Sequence, residues 1–299
     1  MKKYYFVLVL LLSINAFPCD ICGGVTSNVS IGVLANTNYH LIGIRNNYRS
    51  YSSYINGIKH ATDRIVIQEL FLRYQWNKRW QVLVNLPYQN AFQQNDFGST
   101  RISGFADPSI NVNRTIINRQ DATGRLKDYL LVGMGVKFPL GKNAPTTNNL
   151  KNLFPGTGSY DWLFQANYTH QWNKKLSFQT ESSYALKGKD QWSYSYGNSL
   201  QIGAVLVHST SVQSKRLITA FGFMGEHFQA SSQAGKIVQN ATNSASVLAA
   251  KLNLNWFTKK WVCSIFLQHP LWQQNQELFI KRNFSGGISL FYLLKKTKR

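Results

Sequence analysis

Hydrophobic and polar residues alternate with a period of two along most of this chain. Val66, Leu70, Leu72, Tyr74 and Trp76 share one face of the run before Asn77-Lys78-Arg79, while Ile67, Glu69, Phe71, Arg73 and Gln75 share the other. Beyond that turn, Trp80, Val82, Val84, Leu86 and Tyr88 alternate with Gln81, Leu83, Asn85, Pro87 and Gln89. A period of two marks a strand, and a short polar turn between two such runs marks a hairpin. The pattern recurs around Asn173-Lys174-Lys175. There Trp162, Phe164, Ala166, Tyr168 and Trp172 oppose Gln165, Asn167, Thr169 and Gln171, and Leu176, Phe178, Tyr184 and Leu186 oppose Gln179, Glu181 and Ser183. It recurs again before Thr258-Lys259-Lys260, where Leu248, Ala250, Leu252, Leu254 and Trp256 oppose Ala249, Lys251, Asn253 and Asn255.

A soluble sandwich also alternates, so strand length and aromatic placement decide. These runs extend for about 11 to 14 residues, against a usual strand of about 5 or 6. Trp or Tyr recurs where a run meets its turn, as an interfacial girdle requires. The expected fold is all-β: a transmembrane antiparallel up-and-down β-barrel. Twelve strands are expected, near residues 39–54, 63–76, 80–92, 104–118, 127–140, 160–172, 176–188, 191–207, 216–230, 243–257, 261–274 and 280–294. The three short turns follow the second, sixth and tenth strands, so they share one side, the periplasmic one, together with both termini. Longer connections rich in Gly, Asn and Ser, 90–103, 141–159 and 231–242, are expected outside. Pro87, Pro108, Pro139 and Pro270 lack an amide donor and should mark bulges or strand ends.

The N-terminus changes the picture by adding export. Met1-Lys2-Lys3, an apolar run from Tyr4 to Leu12 and a short polar patch through Ala16 have the form of a secretory signal peptide, residues 1–16. The run is too short for a spanning helix, and Pro18 before Cys19 fits a lipoprotein signal poorly. Residues 17–38 then form an N-terminal periplasmic or luminal segment, 39–294 the barrel, and 295–299 a basic tail. Charged residues are only 15% of the chain and aromatics 14%, yet the net charge is +21. The basic residues fall in turns and in the tail rather than in one recognition motif. The partners expected are therefore outer-membrane lipid and a small solute, not nucleic acid. No cofactor is implied.

Three short motifs add a resemblance. Gly104-Phe105-Ala106-Asp107-Pro108-Ser109, Gly133-Met134-Gly135-Val136-Lys137-Phe138-Pro139-Leu140-Gly141 and Phe154-Pro155-Gly156-Thr157-Gly158-Ser159-Tyr160-Asp161 resemble the outer-membrane barrels named for the meta-pathway of phenol degradation. The start Cys19-Asp20-Ile21-Cys22-Gly23 resembles a transporter subgroup of such barrels, with Gly24 where a third cysteine often stands. The resemblance implies a barrel with a transport role and names no substrate.

Candidate chemistry is sparse. Cys19 and Cys22 have C-x-x-C spacing, which in an oxidising compartment reads as a local disulfide or as half of a metal site. Cys263 shares its phase with Trp261, Ile265 and Leu267 and should face lipid. Glu69, Arg73, Asp107, Lys137, Glu181, Glu226 and Lys251 are the candidates to line the lumen, where they would pair with one another or contact solute. Twelve strands lie between barrels filled by side chains and barrels with an open channel, so these residues decide whether the lumen is open. His208 beside Ser209, in an expected periplasmic turn, offers the weak start of a hydrolase, with no evident carboxylate partner. Three functions follow: passage of a small solute, a structural or metal-binding barrel using residues 17–38, and, least favoured, lipid hydrolysis.

Overall fold

The computed structural model describes residues 39–55, 57–143, 151–213, 215–237, 245–274 and 278–295. Its strands are β1 (Tyr39–Ile55), β2 (Ile58–Gln75), β3 (Trp80–Asn95), β4 in two pieces (Gly98–Phe105 and Ser109–Gln120), β5 (Leu126–Lys137), β6 (Asp161–Gln171), β7 (Leu176–Lys187), β8 (Ser199–Val212), β9 (Lys215–Phe228), β10 (Ala245–Phe257), β11 (Trp261–Gln273) and β12 (Leu278–Lys295). Each pairs antiparallel with its sequence neighbours, and β1 pairs with both β2 and β12, from Tyr39 opposite Lys295 to Ile55 opposite Leu278. The sheet is thereby closed, which leaves no edge. The result is a twelve-stranded up-and-down barrel.

The alternation expected from the sequence fixes which face is which. Ile44, Leu70, Tyr74, Trp76, Leu86, Trp162, Phe164, Ile202, Phe221, Leu248, Trp256 and Leu290 are exposed on the outside, whereas Arg45, Glu69, Arg73, Gln81, Asn113, Gln179, Lys251, Asn255 and Gln268 are buried inside. An apolar exterior around a polar interior is the inverse of a soluble domain, and it is the pattern of an outer-membrane barrel. Cys263 is exposed on this outer face, in phase with Trp261. No helix among the described residues is long and apolar enough to cross a membrane.

The prolines sit where a missing donor is tolerated. β4 breaks at Ala106-Asp107-Pro108, and β3 changes partner piece there, with the Pro87 carbonyl accepting from Ala106 N. Pro139 follows the end of β5, and the register of β10 with β11 shifts opposite Pro270.

Several boundaries depart from expectation. Residues 90–103 are not a loop: β3 runs to Asn95 and pairs with Gly98–Phe105, so a tall hairpin rises there. Its polar residues stand beyond the apolar band, where period two no longer shows as hydrophobicity. Ile55 opposes Ile58, so this outer connection is as short as the periplasmic ones. β8 is Ser199–Val212 rather than 191–207, with Val212 opposing Lys215 across a two-residue turn. His208 is therefore on a strand, not in a turn. Trp192, Tyr194 and Tyr196, which fall inside the expected strand, belong instead to the preceding loop. Residues 1–16, expected as a signal peptide, the expected 17–38 segment and its Cys19 and Cys22 lie outside the described residues.

Candidate functional site: a filled lumen under a laced mouth

The lumen is built by the inward positions of twelve strands, and they meet as ion pairs rather than facing water. Near the periplasmic end Arg45 Nε lies 3.2 Å from Glu69 Oε2 on the adjacent strand, with its guanidinium 4.3 Å from the Phe71 ring centroid. Arg45 also donates to Asn85 Oδ1. Arg73 donates to the Tyr39 carbonyl at 2.9 Å. Higher up, Lys251 on β10 reaches across to Glu181 on β7. Arg282 makes a two-pronged pair with Glu226, at 2.9 and 2.6 Å. The low-dielectric wall strengthens each pair, and the same wall makes a lone charge costly.

Six of the seven candidate residues are buried. Glu69, Arg73, Asp107, Lys137, Glu226 and Lys251 are buried, and Glu181 is partly exposed. Among the described residues the inner face thus carries paired polar side chains together with apolar clusters, such as Leu41, Phe71, Leu83, Val262, Phe291 and Leu293 at the periplasmic end. Some of the polar atoms lack protein partners among the described residues: both amide atoms of Gln81, Asn113 Nδ2 and Asn253 Oδ1. A small void lies beside Gln165, Asn167, Glu181, Ser183, Gln201 and Met224. Buried polar atoms that lack protein partners are ordinarily satisfied by water.

A second cluster, at the outer ends of β5 to β7, uses the three motifs that stood out in the sequence. Lys137 Nζ lies 3.1 Å from Asp107 Oδ2 and 2.7 Å from Asp161 Oδ2, and Lys187 Nζ lies 3.2 Å from the same Asp161 oxygen. Asp107 also accepts from Gly141 N at 2.9 Å, and from Thr157 N and Thr157 Oγ1 at 2.8 Å each. Ser159 Oγ donates to Asp161 Oδ1 at 2.8 Å. Gly141 and Gly156 are glycines because the backbones touch: a Cβ on Gly156 would stand 2.6 Å from the Gly141 carbonyl carbon. The break in β4, the end of β5 and the start of β6 are thereby tied to the described parts of the 138–160 connection, residues 138–143 and 151–160.

Residues 151–153 of that connection fold into the barrel. Its short 3-10 turn, Lys151–Leu153, buries Leu153 against Tyr51, Ile65, Ile67 and Ala91 on the inner wall of β1 to β3, and Gln89 donates to the Leu153 carbonyl at 3.0 Å. The 188–198 loop joins it through Lys151 and Asp190, 2.7 Å apart. The 229–237 segment is added by two-residue pairings of Ser232–Gln233 with both Tyr194–Ser195 and Lys236–Ile237. Three outer loops are therefore laced across the extracellular mouth. The sequence reading missed this plug, because a three-residue turn and isolated aromatics carry no periodicity. Lys151 and Leu153, a lysine and a leucine within a connection rich in Asn and Gly, were the available signal.

The hydrolase constellation does not assemble. His208 faces out from β8, while Ser209 faces in and accepts from Arg216 Nε at 2.6 Å. Successive strand residues point to opposite faces, so the two cannot form a dyad. No metal-holding group of three or more His, Cys, Asp or Glu occurs among the described residues.

No family model matches the chain, and no curated protein matches it. Among solved structures, the fold is similar to an outer-membrane channel from Pseudomonas putida F1, with a TM-score of 0.61 and 17% identity over 86% of this chain and 96% of the other. It is also similar to the β domain of the Bordetella autotransporter BrkA, with a TM-score of 0.53 and 10% identity over 85% of this chain and 99% of that one. The likeness is one of fold, that of outer-membrane barrels.

Proposed function

We propose that this barrel is a gated outer-membrane channel for a small polar solute. The observation that carries the reading is the hydrophilic, charge-paired lumen inside an apolar wall, in which buried amide atoms of Gln81, Asn113 and Asn253 lack protein partners among the described residues. Buried amide atoms without protein partners favour a hydrated lumen, along which a solute exchanges hydrogen bonds with side chains instead of losing them. Glu69, Arg73, Asp107, Lys137, Glu181, Glu226 and Lys251 are then the groups that set the selectivity of the path. The tight filling makes the resting conductance small, and the laced loops form the outer gate. The resemblance of the three motifs to barrels named for the meta-pathway of phenol degradation supports this reading, since Asp107, Lys137, Gly141, Gly156, Thr157 and Asp161 within them pin the loop. The form of residues 1–16 supports export, and the reading is non-enzymatic, supported by the opposed His208 and Ser209.

Reconstitution of purified protein into planar bilayers tests it. Wild type should show small, discrete conductance steps, and Lys251→Ala, which removes the side chain crossing the lumen to Glu181, should enlarge them. Absence of conductance in both, with correctly folded barrels, overturns the reading. For the N-terminal pair we infer a disulfide or metal-binding role. Zinc titration of wild type against Cys22→Ser decides between them, since equal affinity removes the metal version.

A further inference from the structure

At the mouth, one lysine occupies a site built by another loop. Lys151 Nζ lies 2.7 Å from Asp190 Oδ2, 3.8 Å from the Tyr194 ring centroid, 5.7 Å from that of Trp192 and 5.8 Å from that of Tyr196. Lys151, Asp190, Tyr194 and Tyr196 are all buried. A carboxylate together with several aromatic faces is the chemistry that recognises ammonium groups, methylated ones above all, because ring faces attract a cation without demanding hydrogen bonds from it.

The cage also has a scaffold of its own. Asp190 Oδ1 accepts from the backbone amides of Trp192 and Tyr194, each at 2.9 Å. Tyr194 and Ser195 pair with Gln233 and Ser232, and Gln233 Nε2 donates to the Trp192 carbonyl at 2.5 Å. Ser193 takes the left-handed conformation, φ +62°, that turns the chain tightly between the two rings. Residues 190–196 are thus held mainly by contacts that do not involve Lys151. The lysine arrives from the 138–160 loop, two residues before Leu153, the side chain that seals the plug against the inner wall.

We propose that the Asp190, Trp192, Tyr194 and Tyr196 cage is a binding site for small ammonium solutes, and that Lys151 is a tethered occupant which such a solute displaces. Displacement frees the 3-10 turn and, with it, the Leu153 seal. Binding at the cage stands on the geometry alone, whereas the opening of a path rests on the channel reading above.

The test uses full-length protein and tetramethylammonium chloride as the probe, at constant ionic strength. Saturation-transfer NMR on the probe's methyl protons reads binding in detergent micelles. Lys151→Ala should bind tetramethylammonium saturably and at least about tenfold more tightly than wild type, in which the tethered ammonium competes. Adding Asp190→Asn to Lys151→Ala should abolish that gain. Should Asp190→Asn fail to fold, Tyr194→Leu in the same background carries the same expectation. Equal affinity in wild type and Lys151→Ala, or a gain that survives loss of Asp190 or of the Tyr194 ring, overturns the proposal. In planar bilayers Lys151→Ala should conduct more than wild type, and tetramethylammonium should raise the wild-type current while leaving that of Lys151→Ala little changed; a wild-type current that tetramethylammonium leaves unchanged overturns the displacement. Cage-dependent binding with no conductance in any variant sustains the site and refutes the channel.

Discussion

Lys137→Met is the most informative perturbation of the loop clamp. It removes the ammonium that Asp107 and Asp161 share, at 3.1 and 2.7 Å. Neither carboxylate is left bare. Asp107 keeps Gly141 N, Thr157 N and Thr157 Oγ1, and Asp161 keeps Lys187, Ser159 Oγ and Gly188 N. Breaking a buried pair with no such support costs about 3–5 kcal/mol. The remaining donors bring the cost here to about 2–3 kcal/mol, a factor of roughly 30 to 150 in an equilibrium. Because the clamp ties the 138–160 loop rather than the barrel ladder, the loss should appear in loop opening and not in barrel closure. Trypsin reports it: Lys151 is buried, and cleavage after it requires the loop to leave the lumen. When opening is fast relative to cleavage, the rate tracks the open population. The Lys137→Met protein in liposomes should therefore be cut after Lys151 about 30 to 150 times faster than wild type, with the barrel resistant throughout. Adding Asp107→Asn should cost less in the variant than in wild type, since the two residues share a contact. A cleavage rate within about twofold of wild type, or fully additive losses, would refute the clamp.

Other expectations follow from the same geometry. Leu153→Ala removes the sealing side chain and should release the plug by about 2–4 kcal/mol, read as increased conductance with unchanged unfolding of the barrel. Arg282→Ala strands the Glu226 carboxylate and should lower the urea midpoint of the barrel, whereas replacing both by Met and Gln should recover most of the loss. A nitroxide on Cys263, with Cys19 and Cys22 changed to Ser, should be relaxed by oxygen and shielded from a water-soluble nickel complex; the reverse would invert the assigned faces. In the periplasmic turn, donors from Thr123, then Arg125, hold the Asp121 carboxyl down to about 2. Its contribution should be complete above the ordinary value of about 3.9 and fade as pH falls through 2, followed by carbon NMR of labelled aspartate.

The barrel was legible because a strand with one lipid face must alternate. Runs such as Trp80 to Gln89 and Leu248 to Trp256 report both their conformation and their orientation. The same logic selected the charged candidates for the lumen. It failed where the wall rises past the apolar band, in the Gln93 to Arg101 hairpin, since alternation of polar with polar residues is invisible. It failed again at 191–198, where aromatic residues mimic a strand but serve a loop. Pairing partners were equally hidden: nothing in the spacing of Glu181 and Lys251, or of Glu226 and Arg282, says that they meet across the lumen. The motifs around Asp107, Lys137 and Asp161 were visible as strings, while their common purpose needed three dimensions.

The pairing of β1 with β12 also constrains how the molecule comes to exist. Tyr39 finds its partner Lys295 only when the last strand has been delivered. Until then one edge of the growing sheet carries seventeen residues of open backbone, Tyr39–Ile55, and such an edge pairs with whatever strand is offered. Contacts of this sequence separation form slowly. Assembly therefore requires that something shield the first strand while the chain is still arriving, and a chain cut before Leu278 leaves an unclosed sheet rather than a slightly smaller barrel.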